Sequence, residues 1–311
     1  VATLSRHAAD DPLVGEIVGE ALAMPRGNAP LRLYGALHYL VLAGRAPAYA
    51  ELADPWPAVR AILEEHRDSL RSFVAEHAVQ TNEVRRSWLL LPGFLWASDG
   101  RPLELVELGA SGGLNLLWDR YRYVYAQGTW GPEDAPMTLM GPESPEVPGE
   151  LLEREVRIGN RVGIDRNPID VTTEEGALLL QCYVWPDQPE RLERMRRAIA
   201  AVRANPPELV AGDFLELLPS VLEARSAGAR TIVFHSMVTE YVEDADYARL
   251  EDSLRQAGEA APLVELSVEF PRTKEFVSDI TYLLEAREWP SGERRQLARV
   301  HYHGAGLRWL A

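Results

Sequence analysis

The chain has 311 residues, 46% hydrophobic and 25% charged, a globular composition sufficient for one large domain or two of ordinary size. Its formal net charge of −15 excludes generic nucleic-acid binding, which needs clustered Lys and Arg to neutralise phosphates. A single cysteine, Cys182, excludes an intramolecular disulfide and any multi-cysteine zinc site, and its apolar neighbours predict a buried thiol.

Val1–Gly19 is interrupted by His7, Asp10, Asp11 and Pro12 and does not read as a signal peptide. No run of about 18 apolar residues is present to span a bilayer, so a cytoplasmic location without a membrane partner is expected. The first hundred residues read as helices. Leu33, Leu37, Leu40 and Val41 recur at helical spacing in Leu31–Leu42. Pro57–His77 carries the stripe Val59, Ile62, Leu63, Leu70, Phe73 and Val74 and is predicted as one helix. A third helix is predicted from Thr81–Asn82, either of which can cap it, and Pro92-Gly93 disturbs it. No strong strand pattern precedes residue 103.

From there the texture changes. Leu103–Leu108 is a short apolar strand, and Leu114–Tyr121 is predicted as the helix after it. Residues 126–150, rich in Gly and Pro, form an insertion of loops with room for a hairpin. Strands follow at Arg161–Ile164, Leu209–Val210, Thr231–Phe234 and Leu263–Phe270. Helices are predicted at Thr173–Leu180, Pro189–Arg203 and Tyr247–Gln256. In Leu263–Phe270, Val264, Leu266, Val268 and Phe270 alternate with Glu265, Ser267 and Glu269. Tyr282–Glu288 and Leu297–His303 read as a strand pair around Pro290-Ser291-Gly292. Strands alternating with helices imply a mostly parallel sheet covered on both faces, with an antiparallel member at the end. Residues 1–100 are thus an N-terminal helical region, and 101–311 an α/β domain with its insertion at about 122–160.

Between strand and predicted helix stands Gly109-Ala110-Ser111-Gly112-Gly113. Glycines let backbone approach a ligand, and free amides at a helix start favour an anion or polar group. A tight connection without a ligand has the same appearance. The dinucleotide fingerprint G-x-G-x-x-G fails here, because Ser111 and Leu114 occupy its second and third glycine positions. The nucleophile elbow G-x-S-x-G is satisfied by Ser111, and Asp213, Asp246, His301 and His303 follow in the required chain order. That fold needs several strands before the elbow, whereas this chain offers helices and no HGGG-like oxyanion segment.

The turn also resembles the first motif of Rossmann-like S-adenosylmethionine-dependent methyltransferases, which carries an acid two positions before the first glycine, here Glu107. The resemblance implies a ribose-binding acid after the second strand, Asp165, and an adenine-facing Asp after the third, Asp213, followed by Phe214. Gly109, Ser111 and Gly112 would contact the cofactor, and Asn115 its amino-acid part. The long insertion between Glu107 and Asp165 departs from the pattern, which has about one helix there.

Taken together, Gln80–Val84, Glu107–Tyr123, Arg161–Val171, Val184–Ile199 and Val233–Val242 resemble the bacterial DUF2332 family over nearly the whole chain, a family grouped with methyltransferase-like Rossmann proteins. The grouping implies an α/β Rossmann-like methyltransferase fold, a mostly parallel seven-stranded sheet with the last strand antiparallel. It also implies an N-terminal helical cap bringing Gln80, Thr81, Asn82 and Glu83 to the ligand edge; alternatively, Thr81-Asn82-Glu83 merely caps a helix.

The expected function is S-adenosylmethionine binding with methyl transfer to a small-molecule acceptor. One alternative is a catalytically inactive binding or regulatory module, left open by His235-Ser236 where amino-methylating enzymes carry Asn/Asp-Pro-Pro-aromatic. Another is a hydrolase built on Ser111. His235, at the end of the fourth strand, is the candidate catalytic residue as base or acceptor-orienting group; the other reading is a histidine that fixes a loop. Glu240 and Tyr241 are weaker candidates for the same pocket. Asp119, Arg120 and Tyr121 read as structural. His301 and His303 share a strand face, but without a third ligand no metal is expected. Trp185-Pro186-Asp187-Gln188 reads as a helix-start turn, and the basic run Arg191–Arg197 as a solvated helix face.

Overall fold

The computed structural model describes residues 2–22, 28–141, 146–271, 282–301 and 306–311. Contacts divide the chain into two units: Val1–Thr81 with Ile169–Arg196, and Asn82–Pro168 with Arg197–Ala311.

The first unit is helical. Of α1 (Ala2–Asp10), α2 (Pro12–Leu22), α3 (Ala29–Leu42), α4 (Trp56–Glu65) and α5 (Arg67–Glu76), the last four bury apolar residues in one cluster, which Cys182 joins and against which Ala8 of α1 packs. In α3 the buried Leu33, Ala36, Leu37 and Leu40 fall at helical spacing, so one face enters the core. The single helix predicted over Pro57–His77 is two, because His66 at φ −112°, ψ 20° leaves helical geometry. Burial raises the Cys182 thiol pKa, keeping it a neutral packing group.

The second unit opens with α6 (Arg86–Ala97). Arg85, rather than Thr81 or Asn82, stands at its N-cap, and Pro92 lies inside it without ending it. This helix is apolar nearly all round and correspondingly buried. At Gly93 a Cβ would meet Leu284 Cδ1 at 3.2 Å and Leu266 Cδ2 at 3.4 Å, so glycine lets α6 lie close on the sheet. Then come β1 (Leu103–Leu108), a 3-10 segment Leu114–Arg120, β2 (Arg122–Tyr125), β3 (Gly128–Trp130), β4 (Thr138–Met140) and α7 (Gly149–Leu152). The insertion is therefore a small sheet in the order β3-β2-β4.

β5 (Ile158–Asp165) leads to α8 (Glu174–Gln181, in the first unit), α9 (Pro189–Ala204), β6 (Glu208–Ala211) and α10 (Phe214–Glu223), the last absent from the sequence reading. β7 (Arg230–Ser236), α11 (Asp244–Ala260), β8 (Leu263–Glu269), β9 (Tyr282–Trp289), β10 (Glu293–His301) and β11 (Gly306–Trp309) complete the chain.

The main sheet runs β11-β10-β9-β8-β7-β1-β5-β6. From β6 to β8 all neighbours are parallel, and from β8 to β11 all are antiparallel. The expected seven strands with one antiparallel member are thus eight among the described residues, closing in an antiparallel run. β9 turns into β10 through Pro290-Ser291-Gly292, a connection short enough only for antiparallel partners. Residues 302–303, the end of the predicted closing strand, lie outside the described residues.

Candidate functional site

From β1 the chain builds β5 and β6 on one side, then β7 and β8 on the other. Strand order therefore reverses between β1 and β7, and open α/β sheets bind ligands outside the carboxyl ends of strands at such a reversal. The turn 109–113 sits there, directly after β1.

Its backbone is already committed. Gly109 and Ala110 both donate to the Ile164 carbonyl (2.8 and 3.3 Å), and Gly113 donates to the Ala110 carbonyl at 2.8 Å. The Ser111 amide donates to Asp165 Oδ2 at 2.8 Å. No α-helix follows, because Leu114–Arg120 is a 3-10 segment with non-helical geometry at Leu117. The expected cradle of free amides at a helix start is accordingly absent at these four positions. Gly109, at φ 70°, is needed for packing, since a Cβ there would meet Val238 Cγ2 at 2.7 Å. Ser111 holds φ 51° and is buried, as is Gly112.

The long motif after the turn resolves into structure. Tyr121 and Tyr123 hydroxyls each donate at 2.7 Å, to the Leu114 and Trp118 carbonyls, and Arg161 donates to the Leu116 carbonyl at 3.2 Å. These side chains thereby tie carbonyls of the 3-10 segment to Tyr121, β2 and β5, and the Trp118 carbonyl also accepts the Tyr121 amide at 3.3 Å. Asp119 accepts both Nη groups of Arg161 at 2.9 and 3.2 Å.

The three acids differ. Glu107 is 3% exposed, and its Oε2 has no hydrogen-bond partner among the described residues. Burial pushes its pKa well above the usual carboxylate range, against the opposing influence of Asn115 and Arg86, while Asp165 adds to the rise. Asp165 is half-buried; Oδ2 takes the Ser111 amide and Oδ1 the Asn167 amide at 2.8 Å. Asp213 is the N-cap of α10, accepting from the Leu215 amide at 2.9 Å, and it pairs with Arg166 at 2.6 Å. Phe214 is buried in the core with Leu218 and Val106.

Around Glu107 lies a buried polar network. Asn115 donates to Asn82 Oδ1 at 3.4 Å and accepts from Ser87 Oγ at 2.7 Å, while Asn82 donates to the Ala110 carbonyl at 2.9 Å. Arg86 donates to the Ser236 carbonyl at 3.2 Å, joining the turn's surroundings to the end of β7. Asn82 thus braces the turn rather than capping a helix, and Glu83 accepts from the Arg85 amide at 3.1 Å.

His235 is on the other face of the sheet. Register aligns Glu107 with Phe234 and Leu108 with His235, and side chains alternate along a strand. His235 aligns with Ser267, so Glu265 and Glu269, two residues either side, flank it on that face. The imidazole is 1% exposed; Nδ1 donates to Glu269 Oε1 at 2.7 Å and Nε2 to Glu265 Oε1 at 3.2 Å. Donation from both nitrogens is the imidazolium form. Burial alone would lower its pKa, and the bonds to the two glutamates reverse this, pushing it up to about 10. Glu265 is held ionised below its ordinary value: burial opposes, but His235 and a 3.1 Å bond from Trp289 Nε1 outweigh it. Glu269 also accepts the amides of Val238 at 2.9 Å and Thr239 at 3.3 Å. His235 is therefore a fixed charge that braces the loop after β7 through Glu269, and a poor proton acceptor at neutral pH.

This cluster borders a pocket of about 470 Å³ at the carboxyl ends of β7 and β8, lined among others by Thr239, Tyr247, Glu269, Glu285 and Arg294. Burial holds the Glu285 carboxyl above its ordinary pKa. Glu240 and Tyr241 are exposed on a 3-10 turn and are not among its lining residues. Glu265 and Glu269 fall on the polar side of the alternation in β8, yet both are buried, because β8 is an inner strand. Two acids two residues apart on an apolar strand were the available signal.

Among the described residues the elbow reading gains no histidine base at Ser111. Both His235 nitrogens serve glutamates, and His301 lies on β10, four strand spacings from β1, or about 19 Å. His303 lies outside the described residues, and among those described no group of three His, Cys, Asp or Glu is arranged for a metal.

Residues 1–309 match the family described as "Uncharacterized protein conserved in bacteria (DUF2332)". The chain belongs to the DUF2332 family. No curated protein matches it. The family match spans both units. Among the described residues of this DUF2332 protein no helix is long and apolar enough to cross a membrane.

Proposed function

We propose that this protein binds S-adenosylmethionine at the carboxyl edge of β1, β5 and β6 and methylates a small molecule held beside β7 and β8. The observation that carries the reading is the reversal of strand order between β1 and β7, with Glu107, Asp165 and Asp213 at or near successive strand ends. Glu107 suits the cofactor in one further respect. Its buried, unpartnered Oε2 is an acceptor that an ammonium such as that of the amino-acid part would satisfy. Asn115 would hold the same part, Asp165 the ribose and Asp213 the adenine, with Gly109, Ser111 and Gly112 walling the site and Phe214 supporting Asp213 from the core.

S-adenosylmethionine supplies an electrophilic methyl on a sulfonium, so the protein must align the acceptor and, where needed, remove a proton. His235, protonated, serves by orienting Glu269 and the loop above it. Glu285 lines the pocket and has a burial-raised pKa, so it is the better proton acceptor. The committed amides of the turn and the protonated His235 favour a second reading, a binding module without chemistry.

Calorimetric titration of the full chain with S-adenosylmethionine and its demethylated product tests the binding. Saturable heat for either is expected, weakened in Glu107→Gln; no heat from a folded sample overturns the reading. Binding without turnover in wild type, across acceptors of varied charge, would favour the module.

A further inference from the structure

Trp185-Pro186-Asp187-Gln188 is unused by the function above. The Gln188 amide donates to the Trp185 carbonyl at 3.0 Å, closing a β-turn with Pro186 at its second position, where the ring fixes φ. The turn is thereby stiff, and it presents Trp185 and Asp187 to a pocket of about 60 Å³ within the helical unit. Tyr34 of α3, Tyr49, Ala50 and Pro55 supply the other walls.

Tyr34 meets Trp185 edge-on, with centroids 5.8 Å apart and planes at 68°. Rings near perpendicular make a corner rather than a stack. Tyr49 is 5% exposed, and burial raises its pKa, so this wall stays an uncharged phenol. Among the described residues lining the pocket, Asp187 alone carries a charge, and it is exposed. Glu51 and Asp54 flank the lining residues Ala50 and Pro55 in the chain, and Arg191, the nearby cation, donates to Gln188 Oε1 at 3.1 Å.

Apolar walls alone would take any small hydrophobe. Aromatic faces carry a negative quadrupole, and with a carboxylate at the rim they favour a weakly hydrated cation. The space admits about four to six groups of water size. That suits a nitrogen with three or four methyl groups and is too small for a nucleobase. We propose that this pocket binds the methylated ammonium head of a small molecule, with Trp185, Tyr34 and Tyr49 as cage walls and Asp187 as counter-charge.

The inference stands independently of S-adenosylmethionine binding. It is tested by calorimetric titration of the full chain with choline, and with its carbon isostere, in which a quaternary carbon replaces the nitrogen. Choline should bind saturably and about tenfold more tightly than the isostere. Asp187→Asn, at an exposed position, should weaken choline several-fold at unchanged melting temperature and leave the isostere unaffected. Trp185→Leu should weaken both. Equal affinity for choline and its isostere, an unaffected Asp187→Asn, or no saturable choline binding would each overturn the assignment.

Discussion

The turns after β1 and β7 use one device with opposite electrostatics. Each places a non-glycine residue in the left-handed region, Ser111 at φ 51° and Met237 at φ 58°. Each is braced by a carboxylate from the next strand outward: Asp165 takes the Ser111 amide, and Glu269 takes those of Val238 and Thr239. Asp165 reaches solvent and needs no counter-ion. Glu269 is buried, and beside the equally buried Glu265 it requires a cation, which His235 supplies. Glu107, under the first turn, is a buried acid without an ion-pair partner among the described contacts, and burial drives it toward the neutral form. Clustered with a cation, buried acids stay ionised; isolated, they are pushed to protonate.

The largest expected break comes from His235→Ala, which leaves two buried carboxylates without their cation. A loss of about 3–5 kcal/mol is expected in urea unfolding, as for a buried pair stripped of one partner. A loss below about 1 kcal/mol would mean the cluster behaves as an exposed pair.

His235 has a folded-state pKa raised from 6.5 to about 10, so its contribution is full below the unfolded value and disappears as pH rises through about 10. Stability should fall by up to about 1.4 kcal/mol per pH unit across that window. Glu265, with a lowered pKa, contributes above its ordinary value and loses this as acid protonates it. A flat unfolding profile between pH 7 and about 9 would contradict the His235 assignment.

Glu107 has the reverse sign for an acid. Its raised pKa stabilises the fold relatively at low pH, and that advantage is lost as pH rises and the unfolded carboxyl ionises. Glu107→Gln should therefore match wild type near pH 4 and exceed it increasingly above, by up to about 1.4 kcal/mol per pH unit until the folded carboxyl ionises. Thermal melts across pH check this; a Gln variant weaker at every pH would indicate a needed carboxylate. The smallest effect concerns Asp213. Replacement by Ala should cost about 1 kcal/mol through the lost cap, while Asn, an equal cap, should cost a few tenths. Asp213→Asn then separates capping from ligand contact: unchanged stability with weakened S-adenosylmethionine binding supports a direct role.

Much of the parallel half of the fold was legible. Apolar runs such as Leu103–Leu108 mark strands buried on both faces, and the chain alternates them with helices. α10 went unassigned although Phe214, Leu218 and Leu222 recur at helical spacing; its cap, Asp213, was read as a ligand contact instead. The long helix over Pro57–His77 failed because an apolar stripe continues across the break at His66.

The Gly109–Gly113 turn, the acids around it and the family of the chain were readable from local sequence, because glycines, strand ends and motif spacing are local properties. Sheet register alone decided that His235 stands between Glu265 and Glu269, and that Glu107 faces the opposite side. Charge state followed, since ionisation of a buried group depends on neighbours supplied by other strands. The amides of Gly109, Ala110 and Ser111 were likewise assigned only in three dimensions, by Ile164 and Asp165, more than fifty residues away. Local pattern names the residues at a sheet edge; pairing between distant strands determines which are free to act.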